Sequence, residues 1–185
     1  MPTYVALLRA VNVGGTGKLP MADLRKLIAG LGYKNVETYI QSGNAVFDAP
    51  GTASAVQKAL TAALEKRMGK PVGLLLRTHD QLTRAIAGNP FAAEAAENGA
   101  RVHAVFLSAH APASAAEELH RIVGANPKRR DRFHFRGDML YLHLPDGAAD
   151  TKFTPSVINR AVGASIESTA RNWNTVLKLH QMSVR

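Results

Sequence analysis

The chain has 185 residues, of which 46% are apolar and 20% are charged, and this composition is typical of a globular protein rather than a disordered or fibrous one. It contains no cysteine, which excludes disulfide bonds, thiolate nucleophiles and thiolate metal ligands. The formal net charge of +9 favours anionic partners, but it does not distinguish nucleic acid from phosphorylated metabolites.

The start of the chain and its hydropathy predict a cytoplasmic protein that does not cross a membrane. The first residues, Met-Pro-Thr-Tyr, lack the basic leader and the cleavage site of a signal peptide. No apolar run approaches the roughly 20 residues that a membrane span requires. The absence of cysteine is typical of a reducing compartment.

The first half of the chain has the order β-α-β-β-α-β. The first predicted strand is apolar on both faces, which indicates a central position in a sheet. After the last strand, Thr78 and Gln81 predict a capping box that opens a connecting helix. The predicted elements are strand 4–11, helix 20–31, strands 36–41 and 45–47, a helix capped by Thr52 or Ser54 that ends before Gly69, and strand 71–77.

The same order returns in the second half, and it predicts an α+β fold of two tandem ferredoxin-like βαββαβ units plus a C-terminal helix. The predicted domains are 1–91, which includes the connecting helix, and 100–185, which includes the C-terminal helix. The Ala/Glu/Asn/Gly stretch between them is the predicted linker. The elements are strand 102–107, a helix opened by a capping box at Ser114 and Glu117, hairpin 131–144, helix 154–162, strand 166–171 and helix 173–180.

The end of the first strand, around Arg9, has the most informative sequence. An arginine inside an apolar strand needs a partner, because burying an unpaired charge is costly. Arg9 could form a structural ion pair with Glu37 or Asp48, or it could present its guanidinium group to an anion. Both interpretations stay open from the sequence.

The loop from Asn12 to Lys18 is a candidate phosphate-binding loop. Gly14 and Gly15 allow close approach of a ligand to the backbone, and Lys18 adds a positive charge near the predicted helix start. The sequence does not match a P-loop, which would need glycine in place of Asn12 and serine or threonine in place of Leu19. The alternative is a flexible connector with a solvated lysine.

Two further polar blocks contain candidate ligand-binding residues. Their amide, hydroxyl and guanidinium groups can orient a polar ligand. The alternatives are ordinary turn chemistry for the first block, and for the second an asparagine cap with Trp173 anchored in the core. The candidates are Gln41, Ser42 and Asn44 in the hairpin tip, and Arg171, Asn172 and Asn174 before the C-terminal helix.

Basic and aromatic residues alternate over 130–136, after Lys128 and Arg129, and predict a strand with one basic face. Counterion release would let this face bind RNA or DNA with a strong salt dependence. A charged edge strand that resists aggregation is the alternative. The seven histidines show no metal-binding spacing, and we predict neither a metal nor a cofactor.

Three blocks together resemble the family of domain of unknown function 1697, whose members are mainly bacterial. They are Leu-Arg-Ala-Val-Asn-Val-Gly-Gly at 8–15, Thr-Tyr-Ile-Gln-Ser-Gly-Asn at 38–44 and Arg-Asn-Trp-Asn-Thr-Val at 171–176. Lys18 and Met21 follow the first block, while Ala10 stands where many relatives have glycine. The resemblance spans the chain and implies a tandem ferredoxin-like fold, and it supplies no activity and no catalytic residues.

These features predict a protein that binds an anionic or phosphate-bearing small ligand in a cleft between its two halves. Arg9, Lys18 and Arg171 would meet the charge, and the amide and hydroxyl residues would orient polar groups. The alternative is an RNA- or DNA-binding module that uses the basic surface, although no strand carries the aromatic signature of RNA-recognition folds. An enzyme acting on a phosphorylated substrate is a third interpretation, for which no pair of nucleophile and base is recognisable.

Overall fold

The computed structural model describes residues 1–12, 17–124 and 130–184. These residues form two four-stranded antiparallel sheets with accompanying helices, and the fold is therefore α+β, as predicted. Contacts group the chain into two compact units. Unit 1 contains residues 1–84 and the described residues from 178 onward, and unit 2 contains residues 85–177. Among the described residues, no helix is long and apolar enough to span a membrane.

Unit 1 is built from one sheet and the helices that follow its strands. Its elements are β1 (Thr3–Leu8), α1 (Met21–Gly30), β2 (Lys34–Tyr39), β3 (Asn44–Asp48), α2 (Ala53–Met68), β4 (Leu74–Thr78) and α3 (His79–Ala87). The strand order is β2-β3-β1-β4, and β1 pairs antiparallel with both β3 and β4. The continuous apolar sequence of β1 suits this central position, because both of its faces are buried.

The core of unit 1 lies between one face of the sheet and helices α1 and α2. Alternate residues of β1 contribute to this core, while Val5 and Leu7 are buried on the opposite face. The two helices contribute apolar side chains four residues apart, which share one helix face. These side chains are Leu24 and Ile28 in α1 and Val56, Leu60 and Leu64 in α2.

Helices α2 and α3 are bounded by local caps. Thr52 Oγ1 accepts a hydrogen bond from Ala55 N at 3.3 Å, and Gly69 ends α2 in the left-handed conformation. Before α3, Thr78 N donates to Gln81 Oε1 at 2.9 Å, and Gln81 N donates to Thr78 Oγ1 at 3.3 Å. The predicted capping box at the start of α3 is therefore confirmed.

Unit 2 contains the second sheet, with strand order β6-β7-β5-β8, which repeats the order of unit 1. The hairpin turns at Gly137, whose φ of 60° is the left-handed conformation that glycine adopts without strain. The elements of unit 2 are α4 (Ala92–Glu97), a 3₁₀ turn (Gly99–Arg101), β5 (Val102–Leu107), α5 (Ala115–Val123), β6 (Arg132–Arg136), β7 (Met139–His143), α6 (Pro155–Val162), β8 (Ser168–Asn172) and the first part of α7 (Trp173–Met182). The residues of α7 from Lys178 onward belong to unit 1.

Two local predictions for unit 2 differ from the structure. Most of the stretch 92–100, predicted as a linker, is helical, because alanine and glutamate favour a helix. Ser114 and Glu117 do not form the predicted capping box. Within the described residues Ser114 makes no side-chain cap bond, and its φ of −79° and ψ of −8° are helical. A capping serine needs an extended backbone to direct its oxygen to the free N–H groups.

Two histidines from α3 and α7 stack within unit 1. The ring centroids of His79 and His180 lie 4.3 Å apart. His79 Nδ1 lies 3.0 Å from Ser183 Oγ, and His180 Nε2 lies 2.9 Å from Thr83 Oγ1. Both hydroxyl groups donate to backbone carbonyl oxygens, Ser183 to His180 O and Thr83 to His79 O. Each hydroxyl has a single proton, so the two ring nitrogens are the donors in their own bonds.

Two histidines, His180 of this pair and His103 in β5, make the stability of the protein sensitive to pH. Burial, and secondly the charge of His79, lower the pKa of His180, and burial also lowers the pKa of His103. The unfolded state therefore binds protons more readily than the folded state. We expect the free energy of unfolding to be highest above the ordinary histidine pKa of about 6.5 and to fall as the pH drops to about 5. Urea denaturation across this range measures the effect.

His180→Gln is expected to flatten this dependence of unfolding free energy on pH, because it removes one of the groups responsible. His110 is exposed and lies outside the stacked pair, so His110→Gln is the control for the loss of a histidine elsewhere in the chain. An unchanged slope in His180→Gln would contradict the assignment.

Candidate functional site

Three loops of unit 1 meet at one end of its sheet. They contain residues 9–12 and 17–20 between β1 and α1, 40–43 between β2 and β3, and 69–73 between α2 and β4. Leu8 N donates to Gly43 O at 2.8 Å, and Arg9 N donates to Gly73 O at 2.8 Å. Backbone hydrogen bonds thus join the first loop to each of the other two. These residues are termed the basic loop cluster.

Asn12 holds two loops of the cluster together. Its Nδ2 donates to Leu19 O and to Gln41 O, both at 2.8 Å, and its Oδ1 accepts from Leu19 N at 2.7 Å. Its φ of 57° lies in the left-handed region, which asparagine tolerates better than most residues. The amide of Asn12 is therefore engaged within the protein, where it sets the positions of its neighbours.

Two glycines allow the loops to approach each other. A Cβ atom added at Gly43 would lie 2.5 Å from Val11 Cγ2 and 2.8 Å from Leu8 Cβ, and φ of Gly43 is +80°. A Cβ atom added at Gly73 would lie 3.0 Å from Arg9 Cβ. Only glycine satisfies both the conformation and the close contact at position 43.

The loops of the cluster contain three cationic side chains, Arg9, Lys18 and Lys70, and no aspartate or glutamate. Within residues 1–12, 17–124 and 130–184, neither Arg9 nor Lys18 forms an ion pair or a side-chain hydrogen bond. Lys70 Nζ would lie 3.5 Å from a Cβ atom added at Gly17, so its ammonium group is beside the first loop. This end of unit 1 is therefore positively charged, which attracts anions.

The ion pair of Arg9 with Asp48 or Glu37, one of the two interpretations of Arg9, is not formed. Asp48 pairs with Thr3 at the other end of β1, about 17 Å from Leu8 at the rise of a β-strand. Its carboxylate accepts hydrogen bonds from Thr3 Oγ1 and Asn35 Nδ2, both at 2.7 Å. Arg9 has no ion-pair partner among the described residues, Glu37 included.

The predicted binding residues of the hairpin tip have different surroundings. Asn44 is fully buried, and its Nδ2 donates to Tyr39 O at 3.0 Å and to Ser42 Oγ at 2.9 Å. Asn44 and Ser42 thus shape the turn. Gln41 is exposed, and its side-chain amide has no partner in the described part of the chain. Gln41 is accordingly available to a ligand.

Arg171 lies in β8 of unit 2 and is buried, with 7% of its surface exposed. Its Nη1 donates to Thr169 Oγ1 at 2.9 Å and to Ala170 O at 2.8 Å. Burial lowers the pKa of Arg171 to about 10. These contacts hold the guanidinium group against its own strand.

The two asparagines after Arg171 also make contacts within unit 2. Asn172 Oδ1 accepts from Thr175 N at 2.9 Å and so caps the first turn of α7. Asn174 packs closely on Gly99, where an added Cβ atom would meet its Oδ1. This arrangement agrees with the capping interpretation of the sequence.

Unit 1 therefore gathers six of the predicted ligand-binding residues around one end of its sheet, while three lie in unit 2. Gly14 and Gly15 lie outside the described residues. No group of three or more histidine, aspartate or glutamate side chains is placed to hold a metal among the residues that the structure describes. The six residues are Arg9, Asn12, Lys18, Gln41, Ser42 and Asn44.

Ion pairs neutralise part of the predicted basic strand face in unit 2. Arg130 pairs with Asp146 at 2.8 Å, and Arg132 pairs with Glu94. The other basic side chains of β6, at positions 134 and 136, are exposed. Lys128 and Arg129 of the predicted stripe lie outside the described residues.

Sequence reasoning did not identify Gly73 as a neighbour of Arg9 or Lys70 as a neighbour of Gly17. The stretch Gly-Lys-Pro-Val-Gly at 69–73 carries a partial signal, since a lysine between two glycines can approach a ligand closely. Its position beside Arg9 depends on the pairing of β1 with β4, which no local pattern specifies.

The two sheets define an α+β protein, with the basic loop cluster at one end of the first sheet. Residues 1–141 match the family described as "Protein of unknown function (DUF1697)", so the chain belongs to this family, as its three sequence blocks predict. Its structure is similar to that of "conserved bacterial protein SP0830 from Streptococcus pneumoniae", with a TM-score of 0.72, 21% sequence identity, and coverage of 100% of this chain and 99% of that chain. At this identity the similarity shows the fold alone. No curated protein matches the chain.

Proposed function

We propose that the protein binds an anionic, phosphate-bearing small ligand, and that the basic loop cluster of unit 1 supplies the groups that meet its charge. We further infer that each unit is a ferredoxin-like βαββαβ fold. The two sheets have the spatial strand orders β2-β3-β1-β4 and β6-β7-β5-β8. In chain order, a helix follows the first and the third strand of each sheet, and this arrangement supports the assignment.

The observation that carries the proposal is that two cations of the cluster form no ion pair within the described residues. Arg9 and Lys18 have no partner within the described residues, and the loops that hold them contain no carboxylate. Both cations lie between β1 and α1, so an anion bound there is attracted by the two positive charges. A guanidinium group and an ammonium group are the two side chains that proteins use most for phosphate.

The loops are also held in position before any ligand arrives. The Asn12 side chain and the backbone bonds of Leu8 and Arg9 connect them at three separate points. A site that is ordered in advance loses less conformational entropy when it binds. The cluster thus combines charge with preorganisation.

Arg9→Gln tests the proposal with inorganic tripolyphosphate as the probe. We expect tripolyphosphate to raise the melting temperature of the parent protein. Arg9→Gln should weaken its binding about tenfold or more, because a hydrogen bond to a charged group contributes about 1.5–3 kcal/mol. Lys18→Gln should act in the same direction. Isothermal titration calorimetry at constant ionic strength measures both effects.

Arg25→Gln is the matched control, since Arg25 is exposed on α1 outside the cluster and its loss changes the net charge equally. Its effect should be within about twofold of parent affinity, as expected for an exposed charge that salt screens. Equal losses in Arg9→Gln and Arg25→Gln would mean that net charge alone attracts the probe. That result, or no binding of tripolyphosphate, contradicts the proposal.

A nucleic-acid interface is the second candidate, favoured by the net charge of +9 and by exposed His134 and Arg136 on β6. The ion pairs of Arg130 and Arg132 weaken it, because those guanidinium groups are already neutralised. Fluorescence anisotropy with labelled RNA and DNA at increasing salt separates the two candidates. Binding that Arg136→Gln reduces and Arg9→Gln leaves unchanged would favour the nucleic-acid interface.

A further inference from the structure

The hairpin tip of the basic loop cluster holds an isoleucine in an unfavourable conformation. Ile40 has a φ of 48°, in the left-handed region. A β-branched side chain is rarely found there, because its Cβ atom crowds the neighbouring backbone. Ala10, in the adjoining loop, has a φ of 53°. Glycine or asparagine would adopt these conformations more easily.

Core packing does not account for Ile40 at this position. Its side chain is 48% exposed, which makes it one of a few large apolar side chains that reach the surface, and Ala10 is exposed as well. The chain therefore bears backbone strain to display an apolar side chain to solvent. Strain of this kind concentrates where a ligand is bound.

Both apolar residues are adjacent in sequence to polar or charged residues of the basic loop cluster. Ala10 directly follows Arg9, and Ile40 directly precedes Gln41, whose carbonyl oxygen Asn12 holds at 2.8 Å. The exposed amide of Gln41 has no partner within the described residues. An amide offers one acceptor and two donor hydrogens, a combination that matches the edge of a nucleobase.

We propose that the ligand of the basic loop cluster is a nucleoside phosphate, whose phosphates meet Arg9 and Lys18 and whose base packs on Ile40 and bonds to Gln41. This inference rests on the proposed function and names its ligand class. A branched aliphatic side chain provides a flat apolar contact for a planar ring, and Gln41 provides the polar contact at the ring edge. The phosphates supply most of the electrostatic attraction, and the base supplies selectivity.

The test compares tripolyphosphate with each common ribonucleoside triphosphate by calorimetry on the full chain. Tripolyphosphate carries at least as much negative charge as a nucleotide, so tighter binding of a nucleotide must come from its nucleoside. We expect at least one nucleotide to bind about fivefold or more tightly than tripolyphosphate, as the burial of half an isoleucine side chain implies. Equal affinity for all of the probes would overturn the inference and leave the proposed function intact. If none of the probes binds, both the nucleoside phosphate inference and the proposed function are wrong.

Ile40→Gly and Gln41→Ala locate the nucleoside contact. In Ile40→Gly the melting temperature of the free protein should equal or exceed that of the parent, because glycine relieves the backbone strain. Nucleotide affinity should fall to that of tripolyphosphate, while tripolyphosphate affinity stays unchanged. Gln41→Ala should reduce the discrimination between bases. Leu177→Ala, which removes exposed apolar surface in unit 2, should change neither affinity.

Two results would overturn this assignment even if nucleotides bind. A lower melting temperature of free Ile40→Gly would show that intramolecular packing accounts for the isoleucine. Sedimentation of the parent protein with anionic phospholipid vesicles, lost in Ile40→Gly and not competed by nucleotides, would show that the tip contacts a membrane surface instead.

Discussion

Gly43→Ala is expected to lower the free energy of unfolding by about 2–4 kcal/mol, the sum of backbone strain and steric overlap. The φ of +80° at Gly43 lies in the left-handed region, and an added Cβ atom would meet Val11 Cγ2 at 2.5 Å and Leu8 Cβ at 2.8 Å. Both contacts are with buried residues, Leu8 in the central strand β1 and Val11 in the loop that follows it, so neither can move away freely. Urea denaturation monitored by circular dichroism measures the change.

Two other glycines separate the contributions to this loss. Gly32 has a φ of +83° and nothing within 4 Å of an added Cβ atom, whereas Gly30 has open space and no positive φ. Gly32→Ala should cost about 1 kcal/mol from strain alone. Gly30→Ala should be neutral or stabilising, by up to about 1 kcal/mol from helix propensity. If Gly43→Ala costs no more than Gly32→Ala, the close contact of the two loops is not as described.

Asn12→Ala is expected to destabilise the protein by about 2–4 kcal/mol and to weaken tripolyphosphate binding. The substitution removes three hydrogen bonds, each worth about 1 kcal/mol, and places alanine at a left-handed φ. The lost partners are Leu19 N, Leu19 O and Gln41 O. Without the Asn12 side chain, hydrogen bonds no longer hold the first loop to the hairpin tip before a ligand binds, so binding costs more conformational entropy.

Asn12→Gly keeps the left-handed backbone without strain and removes the same side chain. Asn12→Gly should therefore lower the free energy of unfolding by about 2–3 kcal/mol, which is the contribution of the three hydrogen bonds. The difference between the two variants reports the strain of alanine. If Asn12→Gly lowers the free energy of unfolding by less than about 1 kcal/mol, water replaces the hydrogen bonds of Asn12 at little cost.

The course of the chain follows largely from local sequence. The order of strands and helices, the buried stripe of α2 and the capping box at Thr78 and Gln81 all depend on residues a few positions apart, and local patterns specify them well. The same reasoning failed at Ser114, because a serine caps a helix only when tertiary context leaves its backbone extended. The stretch 92–100, predicted as the linker, is mostly helical, in agreement with the helix propensity of its alanine and glutamate residues.

The candidate site could be predicted in part. Arg9, Lys18 and Gln41 were predicted from their chemistry, because a cation beside an apolar strand and polar groups in a turn are recognisable in the sequence alone. Lys70 and the strain at Ile40 could not be named. The first depends on the pairing of β1 with β4, and the second on backbone angles that isoleucine rarely adopts.

By itself the sequence determined the α+β class, the strand and helix order and the chemical groups available to a ligand, because periodicity and side-chain chemistry are local properties. Only the tertiary structure decided which of these groups are engaged. It joined Asn12 to Gln41 and Leu19, placed Asp48 at the far end of the strand from Arg9, and left Arg9 without an acidic partner in the described chain. Partner choice depends on strand pairing between distant segments, which is set by the packing of the whole sheet.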